Sequence, residues 1–300
     1  MFEYRLMQNM INLKSKVMKK TSLLLALICC LLITGANAQE VYKNDRLTQI
    51  WETTDSLITP ESVLYDPATK LLYVACINEN PWQKDGNGYI TKLSTEGKII
   101  SSKWATGLSA PKGMGISQGK LYVTNIDEVV EIDLSNGAVV NRFTHPRAIN
   151  LNDIAVTGNG NVYISDSKGD CLFQIKNNKL EILSDSPEVK ASNGLYLEKG
   201  LLLLGQQNRI AAFDLLSLKV SALIENTGSI DGIEAIGHNT YLISDWMGHI
   251  YEVEPGKEKK LLLDTTPIKK NAADIGFNRS ENILYVPTFF KNGVTAYKLD

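Results

Sequence analysis

Four oxygen-bearing side chains of this sequence stand at matching places in a repeat. Six short segments open alike: Pro60-Glu61-Ser62-Val63, Pro111-Lys112-Gly113-Met114, Leu151-Asn152-Asp153-Ile154, Ser192-Asn193-Gly194-Leu195, Ile230-Asp231-Gly232-Ile233 and Ala272-Ala273-Asp274-Ile275. Their second residues are Glu61, Lys112, Asn152, Asn193, Asp231 and Ala273. Glu61, Asn152, Asn193 and Asp231 offer two carboxylates and two amide oxygens. Such a hard, all-oxygen set suits Ca²⁺ or Mg²⁺ better than a metal that prefers thiolate or imidazole. Taken singly, an Asn or Asp before Gly at a strand entry is more often a local turn device. Four donors in register favour a shared metal site. The histidines, His145, His238 and His249, miss the matching positions and read as surface residues. No Gly-rich phosphate loop, nucleophile elbow or Cys/His metal spacing is present in the sequence.

The elements that must position these residues are short strands. The steps between matching positions are 51, 40, 41, 38 and 42 residues. A period of about 40 built from strands is the signature of a β-propeller. Each repeat gives an opening strand, a turn rich in Gly, Asn or Asp, and a second strand such as Leu72-Tyr73-Val74, Val162-Tyr163-Ile164 or Tyr241-Leu242-Ile243. These second strands are apolar on both faces, as expected between neighbouring blades. The last repeat ends at Asp300 with three strands, and Leu47–Thr53 is expected to supply its fourth. The predicted fold is therefore all-β, a six-bladed β-propeller over residues 39–300 whose last blade is closed by an N-terminal strand. Equivalent positions of successive blades meet at the propeller axis, so the distant residues above can converge there.

Residues 1–38 read as a secretory signal peptide, with 1–17 as an upstream extension. Met18-Lys19-Lys20 opens a basic stretch, Leu23 to Ile33 is apolar, and Ala36-Asn37-Ala38 gives a small-x-small cleavage site. The apolar run is too short for a membrane span. The expectation is an exported protein, periplasmic or extracellular, without a membrane span after processing. Without residues 1–38, which hold one acid (Glu3) and five bases, 32 acids and 26 bases remain, a net charge of −6. That balance argues against nucleic-acid partners and against binding to anionic membranes. The expected partner is a small-molecule substrate or ligand; no protein partner is indicated. Cys76 and Cys171 fall in non-adjacent repeats and read as two buried free thiols.

The motifs Pro60-Glu61-Ser62, Asn152-Asp153, Ser192-Asn193-Gly194-Leu195 and Asp231-Gly232, in this order and spacing, resemble the regucalcin/gluconolactonase (SMP-30-like) family of six-bladed propellers. The resemblance spans essentially all of residues 39–300. It implies a divalent cation held by Glu61, Asn193 and Asp231, with Asn152 contacting substrate or completing the shell. It also implies Lewis-acid hydrolysis of a lactone or related ester, with Asp231 as ligand and base. Ca²⁺ is the first expectation for the ion; Mg²⁺, Mn²⁺ and Zn²⁺ are alternatives. The other reading is a non-catalytic ligand- or protein-binding propeller with a structural metal.

The sequence also departs from the family. Family sugar lactonases carry an Arg where this chain has Asn150, and a longer acidic loop where this chain has the turn Ser165–Asp170. Lys112 places a cation in the ring. It reads either as a chain snorkelling from the channel mouth or as an anion-binding group beside the metal. The loop Asn78–Asn87 explains the long first step, and its Trp82 reads as a lid contact or as a half-buried surface residue. Asp274 is offset by one residue from the ring.

Overall fold

The computed structural model describes residues 40–53, 57–169 and 171–300; residues 1–38, read from the sequence as a signal peptide, lie outside them. Residues Val41–Asp300 form one compact unit. Six antiparallel sheets follow one another along the chain, and each is one blade of a propeller. The opening strands are Pro60–Asp66, Pro111–Ser117, Leu151–Val156, Leu195–Glu198, Ile233–Gly237 and Gly276–Asn278. The second strands are Leu71–Cys76, Lys120–Asn125, Val162–Asp166, Leu201–Gly205, Thr240–Ser244 and Ile283–Pro287.

The last blade closes as expected. Leu47–Glu52 pairs with Val294–Leu299, so the fourth strand of blade 6 comes from the N-terminal side of the chain. This seals the ring with backbone hydrogen bonds and leaves no gap between first and last blades. A short strand outside the expected pattern, Tyr42–Lys43, pairs with Lys260–Asp264 and gives blade 5 a fifth strand. Two paired residues are too few to leave a period-2 pattern in the sequence.

There is no single core. The apolar side chains form seven clusters among the described residues, six of which lie one between each pair of neighbouring blades. This explains why the second strands are apolar on both faces. Leu72 and Val74 face blade 6, whereas Tyr73 and Ala75, one residue out of phase, face blade 2. Successive side chains of a strand point to opposite faces, so each second strand supplies two clusters. Cys76 and Cys171 are both buried within such clusters.

The opening strands share an irregularity at one place. In blades 1, 2 and 3 the register shifts between Pro60 and Ser62, between Pro111 and Met114, and between Leu151 and Ile154. In blade 4 the Asn193 N–H donates to the Gly205 carbonyl (2.8 Å), while the Gly205 N–H donates to Gly194 (2.8 Å). In blade 5 Asp231 and Gly232 face Ser244 in the same way, at 2.8 and 3.1 Å. Two residues opposing one is a β-bulge, which bends the strand and re-aims a side chain. Here the bulge falls at the matching positions.

A hydroxyl at the end of the second strand fixes three of these bulges to the next blade. Thr124 Oγ1 donates to the Asn152 carbonyl (2.7 Å), Ser165 Oγ to the Asn193 carbonyl (2.6 Å), and Ser244 Oγ to the Ala273 carbonyl (2.8 Å). Ser165 Oγ and Ser244 Oγ also accept the N–H groups of Asp153 (2.9 Å) and Gly232 (2.8 Å). Ser165 thus pins its own bulge and that of the next blade.

Replacing Ser165 by Ala would orphan the Asp153 N–H and remove the donor to Asn193, both buried. The expected loss is about 1–3 kcal/mol in chemical denaturation. A loss of only a few tenths would show that the hydroxyl does not tie blade 3 to blade 4.

Candidate functional site

The bulges bring the matching residues to one end of the channel. Glu61, Lys112, Asn152 and Asp231 are 3–6 % exposed, and Asn193 is half-buried beside them. Lys112 Nζ donates to Glu61 Oε1 at 3.1 Å, and both side chains are buried. Asn193 Nδ2 donates to Asp231 Oδ1 at 2.9 Å. The Glu61 carboxylate repels that of Asp231, and the Lys112 ammonium attracts it, so these groups share one electrostatic site. Asn152 sits in the same layer, with its Nδ2 at 3.4 Å from Ser167 Oγ. Ala273 packs with Ile77, Ala110, Ile126 and Phe289, which makes the blade 6 side of the mouth apolar.

Two acids and one ammonium leave an excess of negative charge. Burial pushes the Glu61 carboxyl up, against the opposing charge and hydrogen bond of Lys112. Asp231 is pushed up to about 7, first by burial and then by Glu61, against Lys112 and the Asn193 amide. Removing a carboxylate from water disfavours its charged form, which is the dominant cause for both. Two buried oxygens, Glu61 Oε2 and Asn193 Oδ1, have no hydrogen-bond partner. Buried acceptors are ordinarily satisfied, so these two oxygens mark a place for a donor or a cation.

The donor set therefore fits a hard cation: a carboxylate oxygen and an amide oxygen are free, with the Asp231 carboxylate beside them. Among the described residues there is no group of three His, Cys, Asp or Glu close enough to hold a metal. Glu61, Asn193 and Asp231 include only two such residues, the third donor being an amide.

Lys112 differs from the first of its two expected readings. Its ammonium does not leave through the mouth as a snorkelling chain would; it turns inward onto Glu61. Charge attraction at a buried site outweighs hydration there because Glu61 would otherwise stand unpaired. Asn150 is buried and donates through Nδ2 to Ser167 Oγ at 2.6 Å, while its Oδ1 is unpartnered. Trp82 is 54 % exposed, with Lys168 Nζ 3.5 Å and Lys112 Nζ 5.5 Å from its ring centroid. Its loop also reaches blade 2 through the Lys84–Asp127 ion pair at 2.6 Å. Thus the loop of blade 1 overhangs the mouth near blades 2 and 3. Trp246 stands edge-on to Phe289 and Phe290, with ring centroids 5.5 and 5.8 Å away.

Three acids lie deeper than the ring. Asp274 accepts from Ser62 Oγ at 2.6 Å and joins blade 6 to blade 1, so its one-residue offset places it in the next layer. Asp153 accepts the N–H groups of Ile154 and Leu195, both at 2.6 Å, and ties blade 3 to blade 4. Room for these carboxylates comes from glycines on adjacent blades. A Cβ at Gly113 would lie 2.3 Å from Asp153 Oδ1, and one at Gly232 would lie 2.7 Å from Asp274 Oδ1. With Glu234 they line a cavity of about 380 Å³ toward the far end of the channel. Burial pushes Asp153 up to about 7 and Glu234 up to about 8. The sequence signal for Asp153 was its place after Asn152; nothing local marked the hydroxyl partners Thr124, Ser165 and Ser244 except their shared position at strand ends. His249 is also a correction to the sequence reading. It is half-buried, with Nδ1 2.7 Å from Asp245 Oδ2, because the turn after the second strand of blade 5 folds Asp245 back over it.

No family model and no curated protein matches this chain. Solved structures do resemble it. A catalytically inactive virginiamycin B lyase from Staphylococcus aureus, in a structure with Quinupristin, superposes with a TM-score of 0.59 at 12 % identity, covering 87 % of this chain and 100 % of that one. A streptogramin B lyase gives 0.57 at 13 % identity, covering 87 % and 98 %. The Pan2 WD40 domain of Neurospora crassa gives 0.57 at 9 % identity, covering 85 % and 97 %. At such identities the likeness is one of fold: this chain is a β-propeller, and chemistry must be argued from its own residues.

Asp231 also yields a pH prediction. Its folded value, about 7, lies above the ordinary 3.8, so between these values the folded chain holds a proton that the unfolded chain has released. Folding is then favoured at the acid end and loses stability as pH rises through that window. In chelator, Asp231→Asn should gain stability over the native sequence between about pH 4 and about pH 8, by on the order of 1–3 kcal/mol. A flat difference across that range contradicts the assignment.

Proposed function

We propose that the channel mouth is the active site of an exported hydrolase acting on a lactone or related ester of a small molecule, assisted by a divalent cation. The observation that supports this most is the pair of buried, unpartnered oxygens, Glu61 Oε2 and Asn193 Oδ1, beside the Asp231 carboxylate. Glu61, Asn193 and Asp231 would hold the ion, with Ca²⁺ the best match to an all-oxygen set and Mg²⁺, Mn²⁺ or Zn²⁺ as alternatives. When bound, it would supply Lewis acidity, polarising the ester carbonyl and acidifying water.

The chain's own residues supply the rest. Asp231 is the carboxylate placed to take a proton from an attacking water. Asn193 fixes the orientation of that carboxylate through its Nδ2. Asn152 and Asn150 line the same layer and offer amide groups to the substrate. Trp82 and the apolar surface around Ala273 and Phe289 shield the reacting group from bulk water.

A second reading, a non-catalytic binding propeller, has one observation in its favour: Lys112 already compensates Glu61. The two readings separate on a panel of lactones and esters assayed with Ca²⁺, Mg²⁺, Mn²⁺ and Zn²⁺ and with chelator. The hydrolase reading expects turnover that chelation abolishes and that Asp231→Ala lowers by about 10²–10⁴-fold in kcat. Turnover indifferent to both treatments sinks the metal-assisted mechanism. Bound metal with no turnover on any member favours the binding module.

A further inference from the structure

We propose that Lys112 is an exchangeable counter-ion: its ammonium and the divalent cation occupy Glu61 alternately, so the cation must displace Lys112 to bind. The proposal rests on the reading of Glu61, Asn193 and Asp231 as a cation site. It concerns a residue that this reading alone leaves unexplained.

The geometry makes the two cations competitors. Lys112 Nζ lies 3.1 Å from Glu61 Oε1, within a site where both side chains are less than 10 % exposed (7 % and 4 %). Glu61 Oε2 is unpartnered, and Asp231, whose Oδ1 is held by Asn193, feels the charge of both Glu61 and Lys112. A Ca²⁺ ligand oxygen sits at about 2.3–2.6 Å from the ion. An ion on Glu61 would therefore lie within a few ångströms of the Lys112 ammonium. Like charges at that distance in a buried site repel strongly, because little water screens them. One of the two must leave.

Lys112 has somewhere to go. It reaches inward on a flexible four-carbon stem, and the face of Trp82 lies 5.5 Å from its ammonium. An ammonium over an indole face is stabilised by the ring quadrupole. Lys168 already uses that ring at 3.5 Å, so a released Lys112 would join a second cation at the mouth. Occupancy of Glu61 by metal would thus add a second positive charge beside Lys168 at the entrance. In the metal-free protein Lys112 keeps Glu61 from standing as an unpaired buried charge, which is costly. The ammonium stabilises the empty ring and weakens its metal affinity at once.

The test is calorimetric titration of Ca²⁺ into the native protein and into Lys112→Met. The expected result is binding to both, at least about tenfold tighter in the variant because the competing charge is gone. Equal or weaker binding in the variant overturns the exchange while leaving the metal site standing. Failure of both proteins to bind Ca²⁺, Mg²⁺, Mn²⁺ or Zn²⁺ overturns the cation site itself and the exchange with it. Lys112→Met leaves Glu61 without a partner and can fail to fold without metal, so a second measurement uses the native protein. In ¹⁵N-lysine spectra, with the signal assigned through Lys112→Arg, the Lys112 ammonium resonance should be protected without Ca²⁺. At saturating Ca²⁺ it should shift or be lost to solvent exchange. A resonance unchanged by bound Ca²⁺ overturns the proposal.

Discussion

Everything at the channel mouth depends on one local irregularity repeated from blade to blade: two residues of an opening strand face one residue of the second strand. A regular ladder would keep the side chains of each opening strand alternating between its two blade neighbours. The bulge releases one side chain per blade toward the axis. In blades 4 and 5 the pairs Asn193-Gly194 and Asp231-Gly232 show it directly in their hydrogen bonds to Gly205 and Ser244. The hydroxyls of Thr124, Ser165 and Ser244 then tie the Asn152, Asn193 and Ala273 carbonyls of the next blade, so the aim of one ring residue is set by its neighbour. Residues separated by up to the whole repeat array are thereby held on one rigid platform. Polar groups fixed in place before the reaction are the condition under which modest chemistry becomes efficient.

The charge arrangement follows from that platform. Glu61 and Asp231 cannot both ionise comfortably in a buried site, and the fold supplies one ammonium between them, Lys112. The result is a ring one positive charge short, with two oxygens unpartnered. The apolar position Ala273 and its neighbour Phe289 make the site asymmetric, polar across blades 1–5 and apolar at blade 6.

Much of the fold was legible because repetition is legible. Tyr73, Tyr163 and Tyr241 fall in second strands flanked by turn residues at a near-constant step, and Leu47–Glu52 was identifiable as the strand that the last repeat lacked. Tyr42–Lys43 was not, since two residues show no alternation. At the site, the ring positions were readable as a column, but their partners were not. The inward turn of Lys112 depends on the burial of Glu61, 51 residues away in sequence. Likewise the offset Asp274 is placed by its contact with Ser62 from the opposite end of the array, which no local pattern encodes. His249 looked like a surface residue because the Asp245 that holds it is a turn residue of ordinary appearance.

The central claim is that Glu61, Asn193 and Asp231 form a cation site at the propeller axis. The most direct measurement is an anomalous difference map from crystals grown with saturating Ca²⁺. The account predicts a single strong peak with oxygens of these three residues at about 2.3–2.6 Å and with Lys112 no longer on Glu61. A map without density there, in which Lys112 still donates to Glu61, would contradict it.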